Sequence, residues 1–169
     1  MLHPAIRHHR TWVQFVSENL FMRSESGTYA LILRGDSRAR VQVGRWGTLG
    51  VQPGYWIYVG SAFGPGGVNA RVLRHCREAK AKRWHIDYLR DVTAPVGAWC
   101  GYGSRDLEHR WAHALAGLRG LTSVPGFGCS DCACESHLFR CSDRPALNRF
   151  LRVAGGPIES WYFRTDGGD

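Results

Sequence analysis

The sequence predicts an α+β domain built on a small, mostly antiparallel sheet with flanking helices. Two apolar runs and one helix carry that prediction. Tyr55, Trp56, Ile57, Tyr58 and Val59 are all β-branched or aromatic, a composition that suits a strand buried on both faces. Thr28 to Gly35, reading TYALILRG, has the same character. From about Asn69 the period changes. At about 100° per residue, Val72, Leu73, Cys76 and Ala79 fall on one side and Arg71, Arg74, His75 and Glu78 on the other, as in an amphipathic helix. A length of 169 residues suits one domain, enough to bury a core without disulfides or metals.

The elements follow in order. Residues 1–26 carry Ile6, Val13, Val16 and Leu20 at spacings that fit an amphipathic helix, so they are read as a helical N-terminal extension. Residues 27–154 form the main domain. Ala39 to Val43 is a second strand, paired in an added hairpin with Thr28 to Gly35 through a turn at Gly35-Asp36. The glycine-rich stretch Arg45 to Gly54 leads into Tyr55. Gly64, Pro65, Gly66 and Gly67 then make a corner, because proline lacks a donor and glycine tolerates positive φ. Trp84 to Leu89 reads as a short helix and Pro95 to Cys100 as a strand. Ser104 offers an N-cap to a helix through Leu118, with Leu107, Trp111, Ala114, Leu115 and Leu118 as its buried stripe. Ser136 to Arg140 is a further strand and Pro145 to Val153 a last helix, while residues 155–169 read as an extension with a frayed tail.

The formal charge of +8 favours an acidic partner, and nucleic acid is commoner than membrane. Only Lys80 and Lys82 are lysines, so most of the positive charge is guanidinium, which binds phosphate bidentately. No apolar run approaches the ~18 residues that cross a bilayer. MLHPAIRHHR has no apolar signal region, which points to a cytoplasmic protein with reduced thiols.

Gly27-Thr28-Tyr29 and Tyr58-Val59-Gly60 stand as a pair of tripeptides at strand ends. With YVGSA at Tyr58 to Ala62, RVLRH at Arg71 to His75, WHIDYL at Trp84 to Leu89 and GFGCSDCACESHLF at Gly126 to Phe139, they resemble the GIY-YIG nuclease superfamily, its Uri-type branch in particular. The resemblance covers residues 27–141. It implies a metal-dependent endonuclease acting on phosphodiesters, with DNA the favoured substrate. It also implies roles: Tyr29 and Tyr58 flank the attacking water, Tyr58 by preference removing its proton, Arg71 clamps the phosphate, and His75 replaces or assists the tyrosine. An unperturbed imidazole, near pKa 6.5, is the better base at neutral pH. Glu108 is the implied ligand of Mg²⁺ or Mn²⁺, with Glu78 the alternative. Arg74, Lys80, Lys82 and Arg83 flank this centre as nucleic-acid contacts. Two other readings stand beside it: a binding module of the same fold without turnover, and a zinc-stabilised interaction domain.

Cys129, Cys132, Cys134 and His137 supply four zinc-compatible ligands in a C-x2-C-x-C-x2-H spacing. The spacing is compressed, whereas structural zinc gathers ligands from two separated arms, so buried thiols in a tight turn are the favoured reading over Zn²⁺. The resembled branch commonly has serine where Cys129 stands.

Overall fold

The computed structural model describes residues 14–15, 22–78 and 80–164. Among the described residues nine strands form, β1 (Gln14–Phe15), β2 (Gly27–Gly35), β3 (Ala39–Val43), β4 (Gly47–Val51), β5 (Gly54–Ala62), β6 (Ala94–Tyr102), β7 (Thr122–Ser123), β8 (Leu138–Cys141) and β9 (Glu159–Arg164). Four helices accompany them, α1 (Gly67–Cys76), α2 (His85–Leu89), α3 (Leu107–Ala116) and α4 (Leu147–Ala154). Seven strands make one antiparallel sheet in the order β1-β9-β6-β2-β5-β8-β7, and β3 and β4 pair separately. The α+β expectation holds.

Side chains alternate across a strand, and that period builds two cores. Tyr29, Leu31 and Leu33 of β2, with Trp56 and Tyr58 of β5, face a cluster shared with Val68 and Val72 of α1, Ile86 and Leu89 of α2, and Val41, Val43, Leu49 and Val51 of the hairpin. Ala30, Ile32, Ile57 and Val59 face the other way, against Trp111 and Leu115 of α3 and Phe150 of α4. β2 and β5 are therefore covered on both sides, as their composition predicts.

Three expectations need correction. The hairpin joins β3 to β4, from Ala39↔Val51 to Val43↔Gly47, and leaves β2 out of it. Both edges of β2 are already taken, by β5 and by β6, so it has none left for β3. The glycine-rich stretch after Arg45 accordingly holds a strand of its own. Second, Gln14 and Phe15 lie in a strand paired with Arg164 and Phe163, where the sequence suggested helix; residues 1–13 and 16–21 of that expected helix lie outside the described residues. Third, residues 159–164 form β9, paired with β6 from Gly97↔Tyr162 to Cys100↔Glu159. The alternation of buried Trp161 and Phe163 with exposed Tyr162 marks them as sheet rather than tail.

Candidate active centre

The register of β2 on β5 sets Tyr29 opposite Gly60. A Cβ at Gly60 would stand 2.4 Å from Tyr29 Oη, so only glycine lets the phenol lie across the neighbouring strand. Tyr58 sits on the same face, its ring centroid 6.4 Å from that of Tyr29. Past β5 the chain turns through Gly66 and Gly67, both at positive φ, and a Cβ on Gly67 would meet Glu25 O at 2.2 Å. That corner aims α1 so that its last turn brings His75 against the tyrosines. Nε2 of His75 is 2.7 Å from Tyr29 Oη, and its ring centroid is 6.3 Å from that of Tyr58.

Burial dominates the electrostatics of this trio. It pushes the Tyr29 phenol well above its usual range and raises Tyr58 too, with Glu108 and Asp87 adding to the rise and Arg71 opposing it. His75 is fully buried, which lowers its pKa to about 4. This corrects the helix-wheel reading, which placed His75 on the polar side with Arg71 and Arg74, and the expectation that an unperturbed imidazole serves there as the base. Its Nε2 is occupied by Tyr29, so it can act on substrate only through that phenol. The other ring nitrogen, Nδ1, lies 3.8 Å from Asp87 Oδ1 and makes no hydrogen bond among the described residues. The carboxylate on that side favours the proton on Nδ1, leaving Nε2 to accept from Tyr29.

Asp87, on α2, is the hub behind His75. Its Oδ1 accepts from Arg74 Nη1 at 2.9 Å; its Oδ2 accepts from Arg74 Nη2 at 3.0 Å and from the backbone N–H groups of Arg83 and Trp84 at 2.8 and 3.0 Å. Burial alone would raise its carboxyl; the nearby imidazole, the guanidinium and the two N–H groups more than offset that, holding it well below the usual carboxylate range. Arg74 is thus committed to an internal pair rather than to a free phosphate contact. Lys80 is likewise engaged, donating to His75 O at 3.1 Å and Arg77 O at 3.3 Å, and burial pulls its pKa down to about 8. Lys82 pairs with Asp91. Arg71 stands differently. Its guanidinium stacks on Trp84 at 4.2 Å, at the rim of the centre, while Arg83 approaches the same ring at 5.4 Å. His85 accepts from the Gly128 N–H at 3.2 Å and packs on Phe127, a supporting role.

Glu108 enters from the first turn of α3, on the opposite face of the sheet, yet its charge is felt by both phenols. Its Oε1 is 3.3 Å from His137 Nδ1, which also donates to Val59 O at 3.1 Å. Burial would raise the Glu108 carboxyl, but His137 and Ser61 lower it on balance, so it is ionised at neutral pH. Glu78, the alternative, is exposed just beyond α1. On its far side His137 faces a thiol: Nε2 is 3.3 Å from Cys132 Sγ. His109, one residue after Glu108, places Nδ1 3.3 Å from Cys134 Sγ. The ligand atoms of His109, Cys132, Cys134 and His137 all lie within 4.8 Å of one another, a group able to hold a metal ion. Cys129 is outside this group, its thiol directed at Phe127 O, so the ligand set expected from spacing needs His109 in its place.

A family model described as Domain of unknown function DUF123 matches residues 28–156. The chain belongs to that family. Neither the curated proteins nor the solved structures yield a match. The part matched to DUF123 spans Tyr29, Tyr58, Arg71, His75, Glu108 and the Cys/His group, while β9 falls beyond it. Within this DUF123 chain, Asp87 and His109 are the site residues that sequence reasoning undervalued or missed. For Asp87 a signal existed: an acid three residues after the N-cap position Trp84, able to reach back to that residue's backbone N–H. His109 gave none, since its partners lie 23 to 28 residues downstream and meet it only in the fold.

Proposed function

We propose that this protein is a divalent-metal-dependent endonuclease of the GIY-YIG type, Uri-type branch, which hydrolyses phosphodiesters in nucleic acid, DNA foremost, in the cytoplasm. The observation that carries this reading is the meeting of Tyr29, Tyr58 and His75, from two strands and a helix, under the opposing charges of Arg71 and Glu108. Those are the five residues that the resemblance assigns to catalysis.

Tyr58 is half-buried, whereas Tyr29 and His75 are buried, so Tyr58 is the phenol that meets the water and orients it for in-line attack. Both phenols stay protonated at neutral pH, so Tyr58 is not the standing base that the resemblance implies, and the pair serves as donors and orienters. Tyr29 and His75 form the rigid backing that fixes this geometry. Arg71, stacked on Trp84, presents its fork to the non-bridging phosphate oxygens and counters the charge that develops there. Glu108 is an ionised, half-buried carboxylate with one oxygen toward His137, and it fits a hard dication that keeps several waters. Bound there, Mg²⁺ or Mn²⁺ would supply Lewis-acid stabilisation of the leaving oxygen and an acidified water.

End-labelled single-stranded, duplex and branched DNA and RNA, incubated with the protein with and without Mg²⁺ and Mn²⁺, test the reading. Ion-dependent cleavage lost in Arg71→Ala and Tyr58→Phe, with the fold retained, is the expected result. Salt-sensitive binding with no cleavage of any substrate by the wild type would replace it with the binding-module reading.

A further inference from the structure

We propose that His109, Cys132, Cys134 and His137 bind one zinc ion, and that this ion anchors the imidazole on which Glu108 rests. The two-arm objection to a compressed cysteine motif falls away in three dimensions. One ligand comes from α3 and three from the irregular segment before β8, so an ion would tie that segment to the helix. Four ligands around zinc at about 2.3 Å for sulfur and 2.0–2.1 Å for nitrogen stand about 3.4–3.8 Å from each other. The two contacts of 3.3 Å lie close to those edges, and the remaining separations, all within 4.8 Å, need to shorten by about 1 Å at most to close around an ion.

The donor types select the metal. Two thiols and two imidazoles are soft to borderline ligands, which suit zinc and not the hard Mg²⁺ or Mn²⁺ assigned to a carboxylate. Two thiolates also neutralise a dication. The imidazole of His137 already holds the orientation that a ligand needs. Its Nδ1 faces two acceptors, Val59 O at 3.1 Å and Glu108 Oε1 at 3.3 Å, so Nδ1 carries a proton and Nε2, turned toward the group, is the nitrogen that an ion would bind in place of a proton. An acidic residue hydrogen-bonded to the far nitrogen of a histidine ligand is the usual support of a zinc site. The surrounding backbone needs such a clip. Bonds from Gly126 N to Glu135 O and from His137 N to Phe127 O close the base of the segment, whereas Cys132 and Cys134 lie in its irregular tip.

The part of this inference that concerns Glu108 leans on the nuclease reading only for what Glu108 does there; zinc binding is measured without any cleavage. The full-length chain, purified without added metal, is analysed for zinc by mass spectrometry and for ligands by X-ray absorption. Stoichiometric zinc, with two sulfurs and two nitrogens in its first shell, is expected. His109→Ala and Cys134→Ser should lose the ion, and Cys129→Ser should keep it. Glu108→Gln should bind zinc roughly 10–100-fold more weakly in a chelator competition. Absence of stoichiometric zinc, zinc kept by His109→Ala and Cys134→Ser, or a shell of three sulfurs including Cys129 would each overturn the assignment. Where a variant fails to fold, the absorption spectrum of the wild-type protein alone decides.

Discussion

Removing the Asp87 carboxylate isolates the hub behind the candidate centre. Asp87→Ala deletes four hydrogen bonds of 2.8 to 3.0 Å at a side chain with no solvent exposure, and leaves Arg74 and Lys80, the latter 3.7 Å away, facing one another without an anion. Breaking a buried pair by deleting one partner costs about 3–5 kcal/mol. Arg74 keeps 22% of its side chain in water and can rehydrate in part, which favours the lower end, about 3 kcal/mol. For a domain of this size each kcal/mol shifts Tm by about 2–4 °C, so a fall of about 6–12 °C is expected. Circular dichroism during thermal unfolding measures it. Asp87→Asn, which keeps the shape and one acceptor, should fall between the two. A shift below about 2 °C for Asp87→Ala would refute the claim that this carboxylate holds the region together.

Three further outcomes follow from the same geometry. Gly60→Ala places a methyl 2.4 Å from Tyr29 Oη and should cost about 1–3 kcal/mol by overpacking, seen as a lower urea midpoint at unchanged slope; an unchanged midpoint would show that the Tyr29 ring yields freely. Tyr29→Phe strips His75 Nε2 of its hydrogen bond and should cost about 1–3 kcal/mol, checked by the same titration. Because burial lowers the His75 pKa from 6.5 to about 4, the unfolded chain binds the proton first; stability is full above pH 6.5 and falls as pH drops toward 4, by about 3 kcal/mol in all. Denaturant titrations at pH 7 and pH 4.5, wild type against His75→Phe, should show the larger loss in the wild type, and parallel losses would contradict it.

Much of the architecture was readable because strand and helix periods are local. The runs at Thr28 and Tyr55, the helix after Gly67 and the stripe of Trp111 and Leu115 all stand where their patterns place them. Pairing was less legible: the hairpin partner of Ala39 to Val43 depends on which edges β2 has left, a property of the whole sheet. The site divides the same way. Tyr29, Tyr58 and His75 converge as their tripeptides and helix spacing suggested, but a wheel drawn on α1 alone could not foresee that Tyr29 reaches over Gly60 and draws His75 inward. Arg74 and Lys80 looked like free cations until α2 brought Asp87 beneath them. His109 had no local signature at all.

The strand alternation that separates the two apolar clusters leaves the sheet with unequal sides. On the side of α1, the aromatic rings that fill space are also the rings that would perform chemistry, so a substitution chosen to tighten packing there alters reactivity as well. On the side of α3 and α4, Trp99, Trp111 and Phe150 do little besides fill volume, and Trp99 and Phe150 simply stack. Stabilising redesign, and neutral drift over generations, therefore has its latitude in that second apolar cluster, away from Glu108 and His109 on α3, while changes in the first cluster also touch the candidate centre.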